Sequence, residues 1–138
     1  MDDGVYPVDQ LYTRCRNLTA EDVTFLKSIA PQMAIVADVS RSDILMYGRV
    51  GNNRAVVLAH AQPHSVLPVY PHSLIGMEFD DHQVPLVFQT LKTGSSQRGE
   101  QEPSAEAAAV VHHVYPLRKP GDKRVLAAFR VVTNLLEN

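Results

Sequence analysis

The stretch ADVSRSDILMYGRVGNNRAVVLAHAQPHSVLPVYP, residues 37–71, decides the fold, because it predicts a β-hairpin followed by a proline-broken segment. Residues 43–50 and 54–62 are rich in strand-forming side chains, and the Gly-Asn-Asn at 51–53 tolerates the positive φ angles of a tight turn. Two paired strands are not stable alone in water. The flanking sequence must therefore supply further strands and the helices that cover the sheet.

Two helices are predicted before this hairpin. Thr19 can cap the first one, because Glu21 and Asp22 then lie in its first turn, where the helix dipole favours negative charge. Pro31 lacks an N–H group and must end this helix, but it suits the first position of a second helix over residues 32–37. We expect the two helices to form one amphipathic cover for the sheet.

The remaining sequence supplies the other strands. It predicts an edge strand at 66–70, a helix that Asp80 or Asp81 caps and Gly94 ends, a mobile polar loop over 95–109, and a second hairpin with arms at 110–118 and 125–133. This order of elements predicts an α/β (α+β) fold, with an antiparallel sheet of about five strands and helices packed on one face.

Length and composition indicate one domain over residues 1–138. Thirteen Lys and Arg residues against fifteen Asp and Glu residues give a formal net charge of −2, so neither nucleic acid nor a membrane surface is an expected partner. The amino-terminal residues are acidic and polar, and no apolar run reaches membrane-spanning length. With Cys15 as the only cysteine, the sequence predicts a cytoplasmic protein without an internal disulfide.

Short motifs in several parts of the chain carry a resemblance to one family. They are Ala37-Asp38-Val39-Ser40-x-Ser42-Asp43-x-Leu45-Met46, Ala61-Gln62-Pro63, Pro85-Leu86-Val87 ahead of the helix that ends at Gly94, and Tyr115-Pro116-Leu117-Arg118. Over about residues 18–133 the chain resembles the amino-terminal GAF-like sensor domain of cytoplasmic bacterial two-component sensor histidine kinases. The resemblance implies a GAF/PAS-like fold and a homodimer, followed in the same protein by a PAS domain and the kinase core. It implies no particular ligand and no cofactor.

Catalytic and metal-binding patterns are weak in this sequence. Histidines 60, 64 and 72 fall within thirteen residues, but their spacing matches no compact metal motif, and His112 and His113 point to opposite faces of a predicted strand. Cys15 lies between two arginines that could lower its pKa, yet the chain has no second cysteine for redox chemistry. We therefore predict no metal, no cofactor and no catalytic residues in this chain.

A binding cleft is the remaining candidate. In a GAF-like fold the ligand lies between the sheet and the irregular crossing segment, here 63–81. The predicted ligand-binding residues are Tyr47, His60, His64, Val69, Tyr70, His72, Ile75, Met77 and Phe79. The equal alternative is that the apolar members of this set simply fill the core. The predicted function is a sensory input domain that binds a small ligand or a partner and modulates a kinase core; the alternative is a constitutive dimerisation or scaffold module without a small-molecule ligand.

Overall fold

The computed structural model describes residues 7–101 and 109–135, which form four α-helices and a six-stranded sheet. The helices are α1 (Pro7–Arg14), α2 (Ala20–Ile29), α3 (Met33–Ser40) and α4 (Pro85–Thr93), with a 3₁₀ turn at Ala30–Gln32 between α2 and α3. The strands are β1 (Asp43–Arg49), β2 (Arg54–Ala61), β3 (Glu78–Asp80), β4 (Gln97–Gln101), β5 (Val110–Leu117) and β6 (Ala127–Asn134).

The sheet is antiparallel throughout, and its strand order is β3-β2-β1-β6-β5-β4. The two predicted hairpins are confirmed as β1–β2 and β5–β6, and they join side by side through β1 and β6. The first hairpin therefore supplies one of the two central strands. The predicted fold class is confirmed, with six strands in place of about five.

Helices cover both faces of the sheet, so the prediction that they pack on one face is wrong. On one face, α1, α2 and α3 pack against β1 and β2 through a core that includes Leu26, Met33 and Ile44. On the other face, α4 packs through Val87 and Phe88. Because β1 is central, its side chains are buried on both faces, and the strand reads as a nearly continuous apolar run.

The predicted helix boundaries have clear local causes. Thr19 accepts a hydrogen bond from the Asp22 backbone N–H, while the Asp22 carboxylate accepts one from the Thr19 N–H, which together form a capping box. Pro85 is the first residue of α4, and Gly94 ends that helix with a left-handed φ of 74°. The cap at Thr19 and the stop at Gly94 are therefore confirmed. The predicted cap at Asp80 or Asp81 is wrong, because Asp80 accepts the His82 and Gln83 N–H groups in a turn and α4 begins only at Pro85.

Two predictions are wrong, one of a strand and one of a loop. Residues 66–70 form bends and irregular structure, because Pro63, Pro68 and Pro71 remove ladder donors around them, and the short strand beside β2 is β3 instead. The loop predicted over 95–109 contains β4, which pairs with β5 although its sequence, QRGEQ, is polar. Residues 102–108 of that prediction lie outside the described residues.

Candidate functional site

In the structure the crossing segment is residues 62–77, which connect β2 to β3. It is attached to the sheet by a buried Asp–His pair. His60 lies opposite Leu45 in the β1–β2 ladder, so Asp43, two residues before Leu45, is its diagonal neighbour on the same face. The His60 Nε2 and Asp43 Oδ2 atoms are 2.8 Å apart, and both side chains are fully shielded from solvent. The other Asp43 oxygen, Oδ1, accepts the backbone N–H of Val69 at 2.6 Å.

The contacts of His60 define which of its ring nitrogens carries the proton. Its Nδ1 accepts the backbone N–H of Leu74 at 3.0 Å, so the ring proton is on Nε2 and is donated to Asp43. The Gln62 side chain adds a third attachment, because its amide donates to the Tyr70 carbonyl at 2.7 Å. These three polar side chains hold the segment where prolines prevent a regular ladder.

Arg130 is the central charged residue on the face that α4 covers. It lies opposite Leu45 of β1 and Val114 of β5, and its diagonal neighbours on those strands are Tyr47 and His112. The guanidinium Nη1 donates to the Tyr47 hydroxyl at 2.9 Å, and Nη2 donates to His112 Nδ1 at 2.8 Å. Strand alternation thus places a cation among otherwise apolar inward-facing side chains.

The side chains that hydrogen-bond to Arg130 are uncharged, and the buried carboxylate of Asp43, its other diagonal neighbour on β1, is paired with His60. Burial, and then the nearby Arg130 cation, lower the pKa of His112 to about 4, so its ring is neutral near pH 7 and carries its proton on Nε2. Burial raises the pKa of Tyr47 and of Tyr70, against an opposing effect of Arg130, so both hydroxyls stay protonated. Within residues 7–101 and 109–135, no Asp or Glu side chain forms an ion pair with Arg130.

Two cavities adjoin at Arg130. One, of about 300 Å³, lies under the crossing segment and is lined by Tyr70, Leu74, Met77, Phe79, Gln83, Val84 and Arg130. The other, of about 370 Å³, lies between α4, β4 and β5 and is lined by residues 83–87 and 99–101 together with His112 and Arg130. Arg130 and the turn at 83–84 line both, so the two cavities share a wall, and we call the pair the Arg130 groove.

The structure separates the predicted site residues into three groups. Tyr47, Tyr70, Met77 and Phe79 come together around the Arg130 groove, where the Tyr47 and Phe79 rings make an edge contact at 6.3 Å between centroids. His60 and Val69 belong to the attachment of the crossing segment. The remaining three, His64, His72 and Ile75, are exposed and line neither cavity.

Arg130 and His112 are the main residues that sequence reasoning missed as site residues. The available signal was a charged side chain at an inward position of the last strand, in the alternation Ala128, Arg130, Val132. This signal requires the strand register, which the sequence alone leaves open.

The structure disfavours the thiolate form of Cys15. Although Arg14 acts to lower it, burial raises the pKa of the Cys15 thiol to about 11, so the thiol is protonated near neutral pH. The described residues contain no cluster of three His, Cys, Asp or Glu side chains placed to hold a metal ion. No helix of the described chain combines the length and hydrophobicity needed to cross a bilayer.

Comparisons with known proteins agree with this architecture. A family model described as "Histidine kinase PdtaS, GAF domain" matches residues 8–138. A solved structure described as the sensor region of a sensor histidine kinase is similar, with a TM-score of 0.74 and 21% identity over 96% of this chain and 44% of that one. An IcIR transcriptional regulator from Alicyclobacillus acidocaldarius has a TM-score of 0.53 and 10% identity, over 77% of this chain and 55% of that one. No curated protein matches the chain.

The two solved structures show the fold alone, because both are under 25% identical. The chain spans less than half the length of the first and just over half the length of the second. The family match covers nearly the whole chain, so the resemblance that the short sequence motifs carry is confirmed.

Proposed function

Because this chain belongs to the histidine kinase PdtaS GAF domain family, we propose that it is the sensory input domain of a cytoplasmic two-component histidine kinase. In this proposal a small ligand or a partner binds the domain and modulates a downstream kinase core. We further propose that the domain acts as a homodimer and is followed by a PAS domain in the same protein.

The observation that carries the ligand-binding proposal is the attachment of the crossing segment over a cavity. Residues 62–77 are attached to the face of the sheet by a few polar side chains, with Asp43 and His60 at the centre, together with apolar packing and backbone hydrogen bonds to Val57 at its end. A ligand between this segment and the sheet would favour one packing of the segment over another. A ligand that binds one packing more tightly than the other shifts the population of the domain toward that packing.

The Arg130 groove also suggests how a signal would leave the domain. Arg130 belongs to β6, the strand that leads toward the carboxyl-terminal residues of the chain. The far end of β6 contacts the turn after α3, where the Ser42 and Thr133 hydroxyl oxygens are 2.7 Å apart. A change at Arg130 can therefore be transmitted along one strand to whatever follows it.

Autophosphorylation of the longer kinase tests this proposal. We expect deletion of residues 1–138 to change the rate of autophosphorylation, because the input domain biases the kinase core. An unchanged rate, with the shortened kinase still dimeric and able to bind ATP, would contradict a regulatory role.

The second candidate function, a constitutive dimerisation module, is favoured by the outer face of α3. Ile35 and Val39 are one helical turn apart and 71% and 80% exposed, and Val36 beside them is 44% exposed. The occupant in this alternative is α3 of a second copy, because large apolar side chains on one helix face are typical of an interface.

Sedimentation of the Val39→Glu variant tests whether α3 is the dimer interface of the second candidate. If the domain is a constitutive dimer through α3, this variant should be monomeric at concentrations where the unmodified chain is dimeric. Gln32→Glu, an exposed and already polar position nearby, is the matched control and should leave the mass unchanged. A monomeric unmodified chain would contradict the alternative.

A further inference from the structure

We propose that the Arg130 groove binds a small organic anion, whose carboxylate pairs with the guanidinium of Arg130 and whose apolar part fills the adjoining cavities. This inference names the ligand class for the proposed sensory function, and its physiological meaning rests on that function.

The first step of the argument is the charge balance of the groove. Buried or half-buried arginines are normally paired with a carboxylate, because an uncompensated charge away from water is costly. Arg130 is partly buried, and within the described residues its partners are the neutral side chains of Tyr47, Tyr70 and His112. Asp43, the other diagonal neighbour of Arg130 on β1, pairs with His60 and accepts the Val69 N–H, so an incoming anion would supply the carboxylate that directly contacts the guanidinium.

The second step is the direction of the surrounding hydrogen bonds. Arg130 donates to the Tyr47 oxygen and to His112 Nδ1, so the Tyr47 hydroxyl proton and the His112 Nε2 proton are left to be donated elsewhere. The guanidinium has five N–H groups, and two of them make these contacts, with the Tyr70 hydroxyl as a further partner. The groups next to the guanidinium can thus donate to an oxyanion, while Glu100, the exposed carboxylate in the lining of the second cavity, pairs with Arg98 at 3.0 Å.

The third step is the size and polarity of the cavities. Their volumes, about 300 and about 370 Å³, are those of sites for small molecules. Leu74, Met77 and Phe79 line one, and Val84, Leu86 and Val87 line the other. A single cation with neutral donors matches a monoanion such as a carboxylate better than a doubly charged phosphate, because the second charge would stay uncompensated away from water.

A basic surface elsewhere on the domain must be distinguished from this site. A second groove, near Gly94, is lined by several basic side chains: Arg16, Arg49, Lys92, Arg118, Lys123 and Arg124, the last of which pairs with Asp22 and Asp122. Arg118 donates to the Gly94 and Lys123 carbonyls there. Salt weakens anion binding to exposed cations such as Arg118 more than binding to the partly buried Arg130.

The test uses carboxylates and their uncharged counterparts on the chain Met1–Asn138. Benzoate and hexanoate are titrated by calorimetry beside benzamide and hexanamide, which have similar shapes without the charge. We expect the carboxylates to bind about 10- to 100-fold more tightly than the amides, since hydrogen bonds to a charged group are the stronger ones. The His112 ring resonances should shift on addition of the carboxylate.

Two arginine variants locate the bound anion. Arg130→Gln should weaken carboxylate binding by about 10- to 100-fold, whereas Arg118→Gln, the matched control in the basic groove, should leave it unchanged. If Arg130→Gln does not fold, the carboxylate–amide difference and the His112 shift of the unmodified chain decide the question.

Three results would overturn the inference. These are equal binding of carboxylates and amides, loss of binding in Arg118→Gln but not in Arg130→Gln, and inorganic phosphate binding more tightly than the carboxylates. Failure of the proposed function gives a different result, namely carboxylate binding at Arg130 with kinase activity insensitive to deletion of residues 1–138. Kinase activity that depends on those residues, with no carboxylate binding, would contradict the ligand class alone.

Discussion

The imidazole of His60 and the carboxylate of Asp43 are 2.8 Å apart, and neither side chain is accessible to solvent. Each also accepts a backbone N–H from the crossing segment, His60 from Leu74 and Asp43 from Val69. One buried pair therefore fixes two points of a segment in which prolines prevent regular pairing. A second pair, Asp38 with His64, contacts the start of the same segment, but the His64 side chain is 83% exposed.

Asp43→Asn should loosen the crossing segment while leaving the sheet intact. The amide NH₂ of Asn would face either the Val69 N–H or the His60 Nε2–H, so one donor would lose its acceptor. We expect a loss of about 2 kcal/mol in the free energy of unfolding, the usual cost of an unpaired buried polar group. Hydrogen exchange should show faster exchange at the Val69 and Leu74 amides.

The control for that variant is Asp38→Asn in the exposed pair. Its side chain is 41% exposed, so water can replace what is lost, and the free energy of unfolding should change by less than about 0.5 kcal/mol. Equal effects of the two substitutions would contradict the central role of the buried pair.

His112 should make the stability of the domain depend on pH in the range from about 4 to 6.5. The unfolded chain binds a proton at this histidine below about 6.5, whereas in the folded state its pKa is lowered to about 4. For this residue, the free energy of unfolding is therefore highest above about pH 6.5. It falls as the pH drops toward 4, because the unfolded chain takes up the proton first. Urea unfolding should give a free energy about 1–2 kcal/mol lower at pH 5 than at pH 7 from this residue.

His112→Gln isolates this contribution, because the amide oxygen can still accept from Arg130 but does not titrate. The free-energy difference between pH 7 and pH 5 should shrink by the same amount in this variant. His113→Gln, at the more exposed neighbouring position of β5, is the control and should retain the full difference. An unchanged pH dependence in His112→Gln would show that the ring is not held neutral.

The hairpins and helix ends are predictable because their causes are local. Turn residues at 51–53, the cap at Thr19 and the glycine at 94 each act within a few positions of the chain. Strand β4 is not predictable in this way, because its sequence is polar and its place in the sheet depends on pairing with β5. The same holds for β3, a three-residue strand that the β2 ladder defines.

The candidate site is only half predictable for a related reason. Tyr47, Tyr70 and Phe79 belong to apolar stretches next to the irregular segment, and proximity in sequence suffices to group them. Arg130 reaches the same place through the register of β1 against β6, across more than eighty residues of chain. An inward-facing arginine is indistinguishable from a surface arginine until that register is known.

Asp22 should contribute more stability than any surface ion pair of the domain. Its side chain is fully buried, and its carboxylate accepts from Lys119 Nζ at 2.7 Å, from Arg124 at 2.9 Å and from the Thr19 N–H at 2.9 Å. Hydrogen bonds from Arg124 first and then Lys119 hold the pKa of Asp22 well below its usual range. Its stabilisation is therefore present above about pH 4 and is lost progressively at lower pH.

The Asp22→Asn substitution tests this contribution. We expect it to lower the free energy of unfolding at pH 7 by about 2–3 kcal/mol, since it removes the charge from both the capping box and the buried ion pair. Below pH 4, the free energies of unfolding of the variant and the unmodified chain should become more similar. Glu21→Gln, at the exposed preceding position, should change the free energy by less than about 0.5 kcal/mol at either pH.

Thr90→Val should stabilise the domain. Thr90 lies on the buried face of α4 with no exposed surface, and its hydroxyl has no hydrogen-bond partner in the described part of the chain. Valine has nearly the same shape and removes the unpaired polar atom, so we expect the free energy of unfolding to rise by about 1 kcal/mol in urea titrations. Thr93→Val, whose hydroxyl donates to the Gln89 carbonyl at 2.7 Å on the exposed side of α4, is the control and should give no gain. A less stable Thr90→Val variant would indicate that the hydroxyl has a partner in solution, and the buried face of α4 would then be more polar than its packing against the sheet suggests.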